Sequence, residues 1–182
     1  MMQQGGVFAE GSAARSRWMS VNNVMTREVV SIRASEDVKD AWLLLMEMGI
    51  SGAPVVDDNG ALVGILSMTD ILKSVLERVQ KARSLRESTT QGADPEAVDR
   101  EELRELSLAL RAVAESKVAA VLPKDQKVLS LAPGDSLDRA IHMIAEHNIN
   151  RLPVVDKNKI VGIITRQDVI WTIAGRPGKG SE

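Results

Sequence analysis

Apolar positions along the chain fall into two matching sets. In the first, Val38, Ala41, Leu45 and Met48 recur at spacings of three and four, which places them on one face of a helix. Ser35-Glu36-Asp37, just upstream, offers the small and acidic residues that suit a helix N-terminus. Val29 to Ile32 precedes them as a short extended segment. Downstream, Val55-Val56 reads as the centre of a strand. Asp57-Asp58-Asn59-Gly60 follows as a tight turn and leads into a second strand, Leu62 to Leu66, because Asn-Gly is a strong hairpin signal. A closing helix starts near Met68. In the second set, Val128 to Leu131 is extended and a helix begins near Gly134-Asp135. Its apolar face carries Leu137, Ile141, Ile144 and Ala145.

The two sets are copies of one unit. Ala53-Pro54-Val55-Val56-Asp57 recurs as Leu152-Pro153-Val154-Val155-Asp156. Leu62-Val63-Gly64-Ile65-Leu66-Ser67-Met68-Thr69-Asp70-Ile71 recurs as Ile160-Val161-Gly162-Ile163-Ile164-Thr165-Arg166-Gln167-Asp168-Val169. Ser31-Ile32 matches Ser130-Leu131, Ala41 matches Ala140, and Ile50 matches Ile149, with one residue lost in the second turn. Each copy reads as β-α-β-β-α. A single copy leaves one face of a small sheet uncovered, so the expected α/β (α+β) fold packs two of them pseudo-symmetrically.

Between the copies lies a long insert. Leu72, Leu76 and Val79 extend the first closing helix, and Ser84 to Gly92 is polar and loop-like. Asp94-Pro95-Glu96 is a helix start. Leu103, Leu106, Leu110 and Val113 then form a one-sided apolar seam. That seam packs on its own domain or on the first insert helix, or else it forms a dimer or partner interface. The organisation expected is a disordered tail at 1–17, a first repeat at 18–78, a helical insert at 79–118, a second repeat at 119–175 and a tail at 176–182.

Composition narrows the function classes. Hydrophobic residues make up 44% of the 182 positions and aromatics 2%, so the core is built from Val, Ile, Leu, Met and Ala. The formal net charge of −2 lacks the basic excess with which proteins neutralise phosphate backbones, and argues against a nucleic-acid partner. Cysteine is absent, which removes disulfides, thiolate catalysis and thiolate metal sites and fits a reducing cytoplasm. No apolar run approaches the roughly 20 residues of a membrane span.

The doubled Pro-Val-Val-Asp strand, followed by a turn and Val-Gly-Ile-x-x-x-x-Asp, resembles the cystathionine-β-synthase (CBS) domain. The match runs from about Met25 to Ala174, outside the insert. The resemblance implies a paired regulatory module, a Bateman module, that binds an adenosine-type ligand in the cleft between its copies. AMP, ADP or ATP is expected ahead of S-adenosylmethionine or NAD. It also implies a homodimer and, with no effector domain visible in the sequence, an unidentified effector protein as target.

Ser67 with Asp70, and Thr165 with Asp168, place a hydroxyl and a carboxylate three residues apart at a strand-to-helix junction. A carboxylate accepts hydrogen bonds from both hydroxyls of a ribose. The same spacing is that of a capping box, which needs no ligand, and one arrangement can serve both roles. The resemblance groups Arg151, Thr165 and Asp168 with Val30, Ile50 and Ser51, the last three enclosing the adenine. It groups Ser67 and Asp70 with Leu129, Ile149 and Asn150. Arg151 stands where family members place a phosphate-binding arginine, and Gly52 stands in its place in the first copy. The Asp168 site is therefore expected to be the better phosphate site, with Arg166 as a further contact. A salt bridge at the surface is the alternative role for Arg151.

No catalytic constellation is visible: there is no nucleophile elbow, P-loop or dinucleotide glycine fingerprint. His142 and His147 are five residues apart, a spacing that does not align them on a helix as a metal pair. Trp18, Trp42 and Trp171 are scattered; Trp42 is expected in the core. The competing reading is a ligand-free structural module that acts through its insert.

Overall fold

A computed structural model describes residues 20–87, 95–124 and 126–175. The expected tails at 1–17 and 176–182, and Asp94 as a helix cap, lie outside the described residues.

The chain divides into two compact units. One comprises residues 31–59 and 63–127; the other takes residues up to 30, 60–62 and 128 onward. Each unit therefore pairs the strand-helix motif of one repeat with the stretch of chain that precedes the other.

In the first unit, β1 (Ile32–Arg33) pairs in parallel with β2 (Gly52–Val56), and β3 (Leu62–Ser67) completes the sheet in the order β1-β2-β3. Helix α1 (Val38–Glu47) connects β1 to β2. Its predicted apolar face is buried at Val38, Ala41 and Leu45, while Met48 lies past the helix end and is exposed. Trp42 is half-buried against the same core. The extended segments are shorter than the pattern suggested, because only Ile32 and Arg33 find a partner strand. In the second copy the contact is a single bridge from Leu131 to Val154.

Helix α2 (Met68–Glu87) closes the first copy and extends into the stretch that reads as loop from Ser84, of which residues 88–92 lie outside the described residues. Its first turns bury Ile71, Val75 and Val79. Helix α3 (Pro95–Ala114) packs on α2 and α1. Arg83 joins α2 to α3 through Glu102 at 3.2 Å and Glu105 at 3.9 Å. The core-facing residues of α3 are Ala109 and Val113, whereas Leu103, Leu106 and Leu110 remain 66%, 41% and 40% exposed. Of the predicted seam, Val113 is on the packing line and the three leucines lie beside it.

A short helix, α4 (Val118–Val121), was not foreseen. It buries Val118 and Val121 in the core of the first unit. Backbone hydrogen bonds fix it there: Val118 N–H donates to Glu36 O and Ala119 N–H to Ala34 O, at 2.9 and 3.0 Å.

The second unit repeats the plan. Helix α5 (Leu137–Glu146) is capped by Ser136, whose hydroxyl accepts from Arg139 N–H, and it buries Leu137, Ala140 and Ile144. The hairpin of β4 (Arg151–Asp156) and β5 (Lys159–Thr165) follows. Lys157 and Asn158 take φ of 46° and 67° in its two-residue turn, the double left-handed geometry that matches strand twist. Helix α6 (Arg166–Ile173) closes the unit. Here a single 3-10 turn at Val21–Asn23 plays the part of α4. Val21 N–H donates to Asp135 O at 2.8 Å, and Val21, Val24 and Met25 are buried with Leu131, Leu152 and Ile164.

The paired glycines of the two second strands explain how these crossing segments fit. A Cβ on Gly162 would lie 2.4 Å from Met25 Sδ, and one on Gly64 would lie 2.9 Å from Leu122 Cδ1. Both are closer than real Cβ contacts. Glycine lets the side chains of another segment approach closely there, and a Cβ would force them to shift.

Candidate functional site

Each repeat ends its hairpin in the same corner. At the second, Thr165 is the last residue of β5 and the N-cap of α6, and it lies across the ladder from Arg151. Its backbone N–H and its hydroxyl both donate to Asp168 Oδ2, at 2.8 and 2.7 Å. Asp168 N–H returns a bond to the hydroxyl at 3.2 Å. This is a reciprocal capping box. At the first corner, Ser67 N–H and Oγ donate to Asp70 Oδ2 at 2.9 and 2.5 Å, and Asp70 N–H donates to Ser67 Oγ at 3.3 Å.

The bonding has a chemical consequence. In both corners the hydroxyl proton is already held by the carboxylate, so neither Ser67 nor Thr165 has a free proton to donate. One carboxylate oxygen is pinned. The corner's own hydrogen bonds to the carboxylate, among the described residues, all fall on Oδ2 and leave Oδ1 of either aspartate outside them. An ionised carboxylate has about four lone-pair directions, and those on Oδ1 can accept from a donor outside the protein. The cap and an acceptor site coexist in one side chain.

The corners differ in surroundings. Asp168 is 4% exposed, whereas Asp70 is half-buried. Arg166 N–H donates to Asn150 O at 2.9 Å, and its guanidinium donates to Ile149 O at 3.2 Å and Asn148 Oδ1 at 3.3 Å. Asn148 holds a left-handed φ of 49°, and this clasp ties the turn before β4 to the start of α6. In the first corner, Met68 N–H donates to Ser51 O at 3.0 Å, and Met68 offers no charge in place of Arg166. Arg151 is half-buried, and that burial pushes its guanidinium below the ordinary arginine value because desolvation disfavours the charged form. Its counterpart Gly52 has no room for a side chain: a Cβ there would sit 2.5 Å from Leu66 O.

The second unit thus brings Arg151, Thr165, Arg166 and Asp168 together with Ile149 and Asn150. The first brings Ser67 and Asp70 together with Ser51. Leu129 and Ile149 are half-buried on the core of the second unit, Ile50 on that of the first, and Val30 is half-buried in the second unit. Sequence reasoning missed Met25, Leu122 and Gln126, which brace β5 and β3; the glycine inside each of those strands was the available signal. Among the described residues no group of three or more His, Cys, Asp or Glu side chains is arranged to hold a metal ion. None of the described helices is long and apolar enough to cross a membrane.

The CBS domain model matches the chain twice, at residues 21–77 and 118–175. The chain belongs to the CBS-domain family. Both matches begin at the crossing segments, Val21 and Val118. The chain is similar to an uncharacterized protein of Methanocaldococcus jannaschii, with 29% identity over 84% of this chain and 89% of that one. Several other relatives are longer, and the chain spans 22% to 41% of their length. The fold resembles the CBS domain of a CBS-domain-containing membrane protein from Sphaerobacter thermophilus, with TM-score 0.64, 28% identity and coverage of 88% and 91% of the two chains. It also resembles CBSX2 solved in complex with AMP, with TM-score 0.60, 27% identity and coverage of 86% and 96%. The tandem CBS pair read from the sequence is therefore present, in a mixed α/β fold.

Proposed function

We propose that this CBS pair is a non-catalytic regulatory module that binds an adenine nucleotide, AMP, ADP or ATP. It relays occupancy to a partner or through its own oligomer. The observation that carries the reading is the pair of capped aspartates, each with Oδ2 held by its own corner and Oδ1 outside those bonds. A ribose diol supplies two hydroxyl donors, and a charge-assisted bond of this kind is about twice as strong as a neutral one. The AMP complex of CBSX2 supports the choice of nucleotide.

The two aspartates do not contribute equally. Arg151 and Arg166 flank Asp168, whereas Gly52 and Met68 stand at the matching positions beside Asp70. A half-buried guanidinium also gains from a phosphate, which offsets its desolvation. We assign the phosphate-bearing ligand to the Asp168 corner, where Thr165, Arg151 and Arg166 gather. Ser67 and Asp70 form the weaker corner. Calorimetric titration with AMP, ADP and ATP tests this. Asp168→Ala is expected to weaken binding at least tenfold and Asp70→Ala to weaken it less. Equal losses, or none, refute the ranking.

A second reading has its own support in the exposed leucines of α3. In that reading the clefts stay empty and the insert does the work. Absence of heat with all three nucleotides, and with S-adenosylmethionine and NAD, would favour it.

A further inference from the structure

The two crossing segments are held to their strands in different ways. In the second unit, Thr26 and Ile163 exchange two backbone hydrogen bonds, both 2.9 Å. Thr26 thereby covers the open edge of β5 with main chain. The corresponding segment of the first unit aligns residue for residue. Lys117 bridges Asp37 as Ser20 bridges Ser136, and Leu122 N–H returns to Val118 O as Met25 N–H returns to Val21 O. Leu122 meets Gly64 as Met25 meets Gly162. The next residue, in place of Thr26, is Pro123.

Proline has no N–H to give, so the backbone bridge to Ile65 cannot form. A side chain takes over. Gln126 N–H donates to Pro123 O at 3.1 Å, which turns the chain back toward β3. The Gln126 amide then accepts from Ile65 N–H at 2.9 Å and donates to Ile65 O at 3.1 Å. An amide carries both a carbonyl acceptor and an NH2 donor, so it pairs with both edge groups of one residue as a neighbouring strand would.

We propose that Gln126 is a releasable latch that fastens the inter-repeat connector to strand β3. Its position gives the latch a consequence. Gln126 lies next to Lys127, where the chain leaves the first unit. Ile65 lies two residues before Ser67, whose capping box terminates β3. A change that frees the connector loosens the strand whose last residue, Ser67, caps the helix that carries Asp70. A side chain can let go by rotamer change alone, whereas Thr26 has to move its backbone. Local openings of this kind are read directly by amide exchange.

The test is residue-resolved hydrogen exchange on the full chain. Ile65 N–H should be protected, but should exchange at least tenfold faster than Ile163 N–H. Gln126→Ala should accelerate Ile65 a further tenfold or more and leave Ile163 unchanged. Pro123→Thr in the Gln126→Ala background should restore protection, because it returns the backbone donor that Thr26 provides. If Gln126→Ala alone fails to fold, recovery of the fold on adding Pro123→Thr supports the latch. An Ile65 amide that is unprotected in the unaltered chain, slower than Ile163, indifferent to Gln126→Ala or not rescued by Pro123→Thr overturns it.

Discussion

Asp168 divides its work between its two oxygens. Oδ2 accepts from the Thr165 backbone and hydroxyl, which closes α6, while Oδ1 is the oxygen we propose for the ribose. The capping and ligand roles that the sequence left open are compatible at the carboxylate. They conflict at the hydroxyl, whose proton is already engaged. Glycine is the other residue with a specific task. Because a Cβ on Gly162 would meet Met25 at 2.4 Å, Gly162→Ala should destabilise the chain by about 1–3 kcal/mol through overpacking. Chemical denaturation would measure the loss, and the additional substitution Met25→Ala should recover part of it. The capped aspartates were legible from their spacing alone. Gly162 was visible as a repeated letter, but the contact that requires it joins residues 137 positions apart, a pairing that periodicity cannot show.

Helix α3 shows where element-level reading succeeds and where it stops. A helix start at Pro95 and an amphipathic run were both readable. The seam read from the spacing ran through Leu103, Leu106, Leu110 and Val113. Of these only Val113 fills the core, and Ala109, one turn before it, joins it there. Arg83 then binds Glu102 and Glu105 across the helix pair. Leu103, Leu106 and Leu110 are consequently left on the surface, and they form the face we assign to the proposed homodimer. Leu106→Glu combined with Leu110→Glu should convert a dimer to monomer in sedimentation velocity, with helix content by circular dichroism unchanged. A dimer that survives both changes would place the interface elsewhere. The central strands were readable from their Val-Val cores and the turns that follow them. Ile32–Arg33 and Leu131 form shorter contacts than their apolar runs implied, since pairing needs a neighbour as well as propensity.

At the scale of the whole molecule, the repeat was fully legible in the sequence and the parcelling of chain into units was not. Similarity marks out contiguous copies, but the cores are assembled from residues that are far apart. Val21, Val24 and Met25 lie with Leu131, Leu152 and Ile164, while Val118 and Val121 lie with Ile32, Leu45 and Leu66. Fully burying a side chain of this size is worth about 1.5–3 kcal/mol, so losing three of them removes about 4.5–9 kcal/mol, which is comparable with a domain's net stability of about 5–15 kcal/mol. This arrangement dictates how the gene can be dissected. A fragment covering residues 31–127 carries one whole core and is expected to unfold cooperatively on its own. A fragment covering 128–182 lacks its first three hydrophobic anchors and should stay unstructured until a peptide spanning residues 20–30 is supplied in trans. The circular dichroism of that mixture would report the complementation. Cutting between the two copies where their similarity ends would sever both cores, whereas cuts after residues 30 and 127 keep the first core whole and part only the second, and both points lie inside what alignment presents as the repeats' own leading edges.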